Sequence, residues 1–186
     1  MMIVGVGGQG TLLASKILGN VLMTEGYDVK MSEVHGMAQR GGSVVTYVKY
    51  SDEPIASPVI EKGEADLIIA FEQLEAARWI SYLKKGGTLI TNTAKILPMP
   101  VITGAKQYPE ELLEKLAALD CKVIALDVLS KAKEAGNAKA VNVVLLGVLA
   151  KNLPIDKQVW LDSIRASVAP KFLEVNSKAF ELGYTN

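Results

Sequence analysis

"IVGVGGQGTLLASKILG", residues Ile3 to Gly19, sets four glycines among the six positions 5–10, between a short apolar run and a stretch of helical periodicity. Gly5, Gly7 and Gly10 fit GxGxxG, and Gly8 adds a further position without a Cβ. Such a backbone turns tightly, lets its N–H groups approach a diphosphate, and presents that anion to the positive end of the helix that follows. The helix should run from about Gly10 to Thr24. Leu13, Ile17 and Val21 recur at spacing four, Leu18 and Leu22 continue the stripe, and Gly26 supplies a stop. A strand, a glycine loop and a helix in that order open an α/β unit. The competing reading is a strand-to-helix turn kept rich in glycine for packing alone.

Beyond this unit, apolar runs of strand length recur at "YDVKMSE", "SVVTYVKY", "ADLIIAF", "GTLITN" and "CKVIALD", most of them separated by stretches of helical pattern. This alternation predicts a three-layer α/β/α fold with a mainly parallel, Rossmann-like sheet, as one domain over residues 1–186. "EQLEAARWISYLKKGG" reads as a helix with acids early, lysines late and glycines beyond. "YPEELLEKLAALD" starts a third, with Pro109 in its first turn, and "LPMPVITG" reads as an extended crossing. After "LDVLSKAKEAGNAK" the chain turns helical: an apolar helix near Ala140 to Leu153, a break at Pro154, then "DKQVWLDSIRASV" and "PKFLEVNSKAFELGY".

Composition narrows the function. The 20 Lys and Arg balance the 20 Asp and Glu, so no global field draws polyanions and nucleic acid is not an expected partner. Cys121 is the only cysteine, which excludes an internal disulfide and leaves this chain far short of the thiolates an iron–sulfur cluster needs. It reads as a small core residue. The longest apolar run, "AVNVVLLGVLA", is interrupted by Asn142 and too short for a membrane span, and no leader-like segment is visible. A soluble, cytoplasmic protein that binds no membrane is expected. The mean hydropathy of +0.24 is high for such a chain, and the helix near Ala140 to Ala150 is apolar nearly all round, which suits either a core position or a subunit contact.

Ligands of open α/β sheets gather outside the carboxyl ends of the strands. Those ends carry Gly5 to Gly10, Glu33 to Gly42, Phe71 with Glu72, Asn92 with Thr93, and Asp127, so nearly all the chemistry-bearing residues fall on one sheet edge. Glu33, 23 positions after Gly10, is placed to hold a ribose if the ligand is a nicotinamide dinucleotide. The next residues, "EVHGMAQRGGS", bring the sole histidine, an arginine and three more glycines, a second loop that a dehydrogenase does not need. His35 can carry a proton, and Arg40 can grip a carboxylate or phosphate with two N–H groups. Local backbone pairing is the plainer reading of both. Lys95 either adds charge beside the glycine loop or is simply solvated.

"GVGGQG", "SEVHGMAQRGGSV", "ADLIIAFEQLEAAR" and "KAVNVVLLG" together resemble the gamma-type subunit family of 2-oxoacid:ferredoxin oxidoreductases, in the right order over nearly the whole chain. The "EVHGMAQRGG" form most resembles the small (beta) subunit of the indolepyruvate enzymes. The resemblance implies a hetero-oligomer that oxidatively decarboxylates an aryl 2-oxoacid, with coenzyme A as acyl acceptor and ferredoxin as electron acceptor. Thiamine diphosphate, Mg and [4Fe-4S] clusters are then held by a large partner subunit, and no metal by this chain. Agreeing with this, the chain has one cysteine and no GDG motif with paired asparagines downstream. On this reading Gly5, Gly7, Gly8, Gln9 and Gly10, with Glu33, Gln39, Gly41 and Gly42, line a cofactor-binding edge, and His35 and Arg40 are the candidate catalytic groups. Two further readings stand beside it: a free-standing NAD-binding oxidoreductase, and a non-catalytic nucleotide-binding or assembly module.

Overall fold

The computed structural model describes residues 1–36 and 41–186. Its elements run β1 (Met2–Val6), α1 (Thr11–Thr24), β2 (Asp28–His35), β3 (Ser43–Ser51), β4 (Ala65–Ala70), α2 (Gln73–Trp79), β5 (Leu83–Asn92), α3 (Met99–Ile102), α4 (Leu112–Ala117) and β6 (Lys122–Leu126), followed by α5 (Val128–Ala135), α6 (Val141–Lys151), α7 (Lys157–Ser167) and α8 (Leu173–Tyr184). All six expected strands form, in one sheet of order β2-β3-β1-β4-β5-β6. β1, β4, β5 and β6 pair in parallel, β6 forming the more exposed edge, as strands joined by helices should. β3 runs against both its neighbours.

The two faces of the sheet differ in cover. Ile3, Leu67, Ile69, Phe71 and Ile90 meet α1 and the helices after β6, while Met2, Val4, Ile68, Ala70 and Leu89 meet a thinner layer that includes α2 and α4. α6 lies wholly inside the thicker layer: every residue from Asn142 to Ala150 is buried. Its six valines and leucines in that stretch bring burial worth on the order of 10 kcal/mol, an upper estimate. The apolar helix is therefore core, not subunit contact. No helix among the described residues is long and apolar enough to cross a membrane.

Three expected elements differ. The second helix stops at Trp79, passes through a 3-10 turn at Ile80–Tyr82, and the chain is already in β5 at Leu83. Lys84 to Gly87 form an irregularity in that strand, between the Ala65–Leu83 and Leu67–Thr88 pairs, with Gly86 at φ 71°. Glycines taken for a helix stop thus serve a β-bulge. The third helix begins only at Leu112, because Glu111 sits in the left-handed region at φ 56°, where an α-helix cannot pass. "LPMPVITG" is not fully extended: Met99–Ile102 makes one helical turn, with Pro100 where a missing N–H costs nothing. Cys121 is half-buried against the thinner layer rather than deep in the core.

Candidate functional site

β1 is buried along its whole length and ends at Val6, where the glycine loop reverses the chain into α1. Gly8 at φ 100° and Gly10 at φ 85° adopt backbone conformations that side chains rarely tolerate. Gly10 occupies the N-cap position of the 14-residue α1, and no side chain among the described residues caps this end. Among the described residues the first-turn N–H groups of Thr11, Leu12 and Leu13 have no acceptor, at the positive end of the helix. A Cβ built on Gly8 would meet nothing within 4 Å among the described residues. The loop opens on a concave site of about 410 Å³, lined by Gly7, Gly8, Gly10 and Thr11 on one side and by Glu33 and His35 on the other.

Gly5 and Gln9 look the other way. Gln9 Oε1 accepts from Val6 N–H at 2.7 Å and its Nε2 donates to the Phe71 carbonyl at 3.1 Å, so the side-chain amide is engaged inside the fold. A Cβ on Gly5 would stand 2.9 Å from Gln9 Oε1 and 3.0 Å from Phe71 Cβ. Gly5 is needed to make room for the glutamine. Both were expected to touch a cofactor; both instead shape the loop from behind.

The second glycine loop returns to the first. Gly7 N–H donates to the Gly42 carbonyl at 2.9 Å, and Gly41 N–H to the Gly7 carbonyl at 3.4 Å. The turn connects β2 to β3, with His35 opposite Val44 in register. His35 is exposed, its Nδ1 3.3 Å from the Gly36 carbonyl, and Glu33 accepts from the Thr46 hydroxyl at 3.3 Å. Gln39 and Arg40 lie outside the described residues. The position of Glu33 disfavours the dinucleotide reading. In a dinucleotide fold the strand after the first helix lies beside β1; here β3 fills that slot and β2 stands two strand spacings, about 9–10 Å, from β1.

Asn92, which the sequence places at a strand end, holds this edge together with Asn142 and Glu75, whose roles carried no signal of their own in the sequence. Asn92 Nδ2 donates to the Phe71 carbonyl that also receives Gln9, and its Oδ1 accepts from Ala94 and Val128 N–H. Asn142, at the start of α6, donates to the Gly10 carbonyl at 3.3 Å. Glu75, only 3% exposed, accepts from Arg78 Nε at 3.0 Å, Trp79 Nε1 at 3.1 Å and the Ser43 hydroxyl. Lys95 stands over the Tyr108 ring, 5.8 Å from its centroid, rather than beside the glycine loop.

Glu72 caps α2, accepting from the Glu75 N–H, and is 1% exposed. Burial pushes its carboxyl above the usual range; backbone N–H groups of Leu74, Glu75 and Ile96 oppose this, and the Glu75 charge adds to it. From the ordinary value of 4.5 up to the raised one, the folded chain holds this proton more tightly than the unfolded chain. In that window Glu72's contribution to stability falls as pH rises. Urea titrations between pH 4.5 and 7 should therefore show Glu72→Gln gaining on the wild type as pH rises, then levelling off. A difference independent of pH would contradict this.

The model of a family described as "Pyruvate ferredoxin/flavodoxin oxidoreductase" matches residues 1–186. An indolepyruvate oxidoreductase subunit IorB from Thermococcus kodakarensis is 43% identical over 98% of this chain and 93% of its own length. Among solved structures, the gamma subunit of a keto/oxoacid ferredoxin oxidoreductase from Geobacter sulfurreducens shares the fold with a TM-score of 0.74, at 24% identity, over 99% of this chain and 95% of that one. A 2-oxoglutarate:ferredoxin oxidoreductase from Magnetococcus marinus, with 2-oxoglutarate, coenzyme A and succinyl-CoA bound, matches 99% of this chain within 30% of its own, with a TM-score of 0.75 at 17% identity.

Proposed function

The chain belongs to the pyruvate ferredoxin/flavodoxin oxidoreductase family, and from that membership we propose how its glycine-loop edge takes part in the reaction. It is the small subunit of a 2-oxoacid:ferredoxin oxidoreductase, of the indolepyruvate kind by its similarity to IorB. Its edge forms one wall of a site completed by a larger catalytic subunit, and the diphosphate of coenzyme A sits on the N–H groups of Gly8, Gly10 and the first turn of α1. The observation that carries this is the start of α1, uncapped among the described residues, beneath two glycines with positive φ, with no described residue within 4 Å of a Cβ at Gly8. An anion there gains hydrogen bonds and the favourable end of the helix dipole. His35 and Arg40 remain the candidate groups for holding or moving a proton and for gripping a carboxylate or phosphate, and the Gly41-Gly42 turn meets the partner.

Carbanion stabilisation and electron storage come from thiamine diphosphate and iron–sulfur clusters, which we place on the larger subunit with Mg, ferredoxin being served through the complex. One cysteine leaves this chain no means of holding a cluster. Expression with and without a candidate large subunit tests the proposal, assaying viologen dye reduction with indolepyruvate, phenylpyruvate, pyruvate and 2-oxoglutarate. Co-purification of an iron-containing larger chain, with turnover only in its presence and greatest on aryl substrates, is the expected result. Turnover by the isolated chain, or indifference to the large subunit, would overturn it.

A further inference from the structure

Glu75 is an acid in an expensive place. It lies on the face of α2 turned to the sheet, beside Ala76 in the thinner core layer, and is 3% exposed. Of its three donors among the described residues, Arg78 and Trp79 come from its own helix, one turn further on. A buried carboxylate is costly to desolvate, and pairing within its own helix is a weak reason to place one there. Its third donor comes from another element. Ser43 is the first residue of β3, it follows Gly41 and Gly42 directly, and it pairs with Val6, the last residue of β1. Its hydroxyl donates to Glu75 Oε2 and lies 3.4 Å from Trp79 Nε1. Ser43 thus stands where the two glycine loops leave the sheet, and Glu75 holds it there.

We propose that Glu75, acting through Ser43, is a positioning residue for the glycine-loop site. It fixes the Gly41–Gly42 turn so that the Gly42 carbonyl engages Gly7 N–H and the Gly41 N–H engages the Gly7 carbonyl. Gly7 is thereby held in the orientation that leaves the neighbouring N–H groups facing the ligand. The inference rests on the reading of that loop as the seat of the coenzyme A diphosphate, and deepens it: the shape of the seat is set from α2, a helix that does not line it.

Amide exchange by NMR on the isolated chain, with kinetics of the reconstituted complex, tests this on Ser43→Ala, Ser43→Thr and Glu75→Leu. In Ser43→Ala and Glu75→Leu the Gly7 amide should exchange about tenfold faster, the effect of losing one charge-assisted hydrogen bond. The KM for coenzyme A should rise about tenfold with kcat within about twofold, since binding geometry and not chemistry is disturbed. Ser43→Thr keeps the hydroxyl and should restore both. Ser43→Ala guards against trivial unfolding, because Glu75 keeps its Arg78 and Trp79 donors there and the thermal midpoint should fall by only about 2–4 °C while the turn loosens. Gly7 exchange at the wild-type rate in both disruptive variants would overturn the proposal. Faster exchange with unaltered coenzyme A kinetics would support the latch and overturn the placing of coenzyme A on the loop.

Discussion

Gly183→Ala is expected to destabilise the fold by about 3 kcal/mol or more, lowering the urea midpoint with an unchanged slope and the thermal midpoint by about 6–12 °C. α6 and α8 cross with their backbones in contact at Gly147 and Gly183. A Cβ on Gly183 would stand 2.9 Å from the Val144 carbonyl carbon and closer still to its oxygen; one on Gly147 would stand 2.8 Å from Tyr184 N. Neither obstacle is a flexible side chain. Both are helical backbone, so relief requires the helices to separate. Separation would expose part of the buried face of α6 and of the fully buried Phe180 on α8. Gly147→Ala should cost a similar amount. The double variant should cost less than the sum, since one widening of the crossing serves both methyl groups. Additive losses would mean that the two glycines do not share a contact.

That crossing marks a boundary of what the sequence could convey. The periodicity of the last helices and the continuous apolarity of α6 were readable, because each is a local pattern. The reason for glycine at positions 147 and 183 was not, since it lies in a neighbour on another helix. The same division runs through the candidate site. Gly8 and Gly10 were legible as a tight turn from their spacing between strand and helix, and both take positive φ. Gln9 was grouped with them, yet its partner is the carbonyl of Phe71, 62 residues away. Asn142 reaches Gly10 across 132 residues and Ser43 reaches Glu75 across 32. All six strands were legible as apolar runs, but the reversed direction of β3 was not, because side-chain alternation is the same in either sense along a strand. That one reversal separates β2 from β1 and moves Glu33 away from the place a ribose contact requires.

The glycine loop itself offers a sharper separation of function from stability. In the reconstituted complex, Gly8→Ala should lower kcat/KM for coenzyme A about a hundredfold, while the isolated chain loses only about 1–2 kcal/mol of stability. The stability term follows from the φ of 100°, which an L side chain occupies at roughly that cost. No clash with the described residues adds to it, since none of them lies within 4 Å of the new methyl group. The kinetic term follows from the same open space. A methyl placed where the anion approaches displaces it from backbone donors, and losing one or two charge-assisted hydrogen bonds is worth about 1.5–3 kcal/mol each. Gly26 provides the matched control. It too has positive φ, 90°, with nothing within 4 Å of a built Cβ, but it lies beyond the far end of α1. Gly26→Ala should therefore lose the same stability as Gly8→Ala and none of the activity. If both variants lost activity alike, backbone strain alone would explain the effect; if Gly8→Ala kept wild-type coenzyme A kinetics, the anion would have to bind elsewhere.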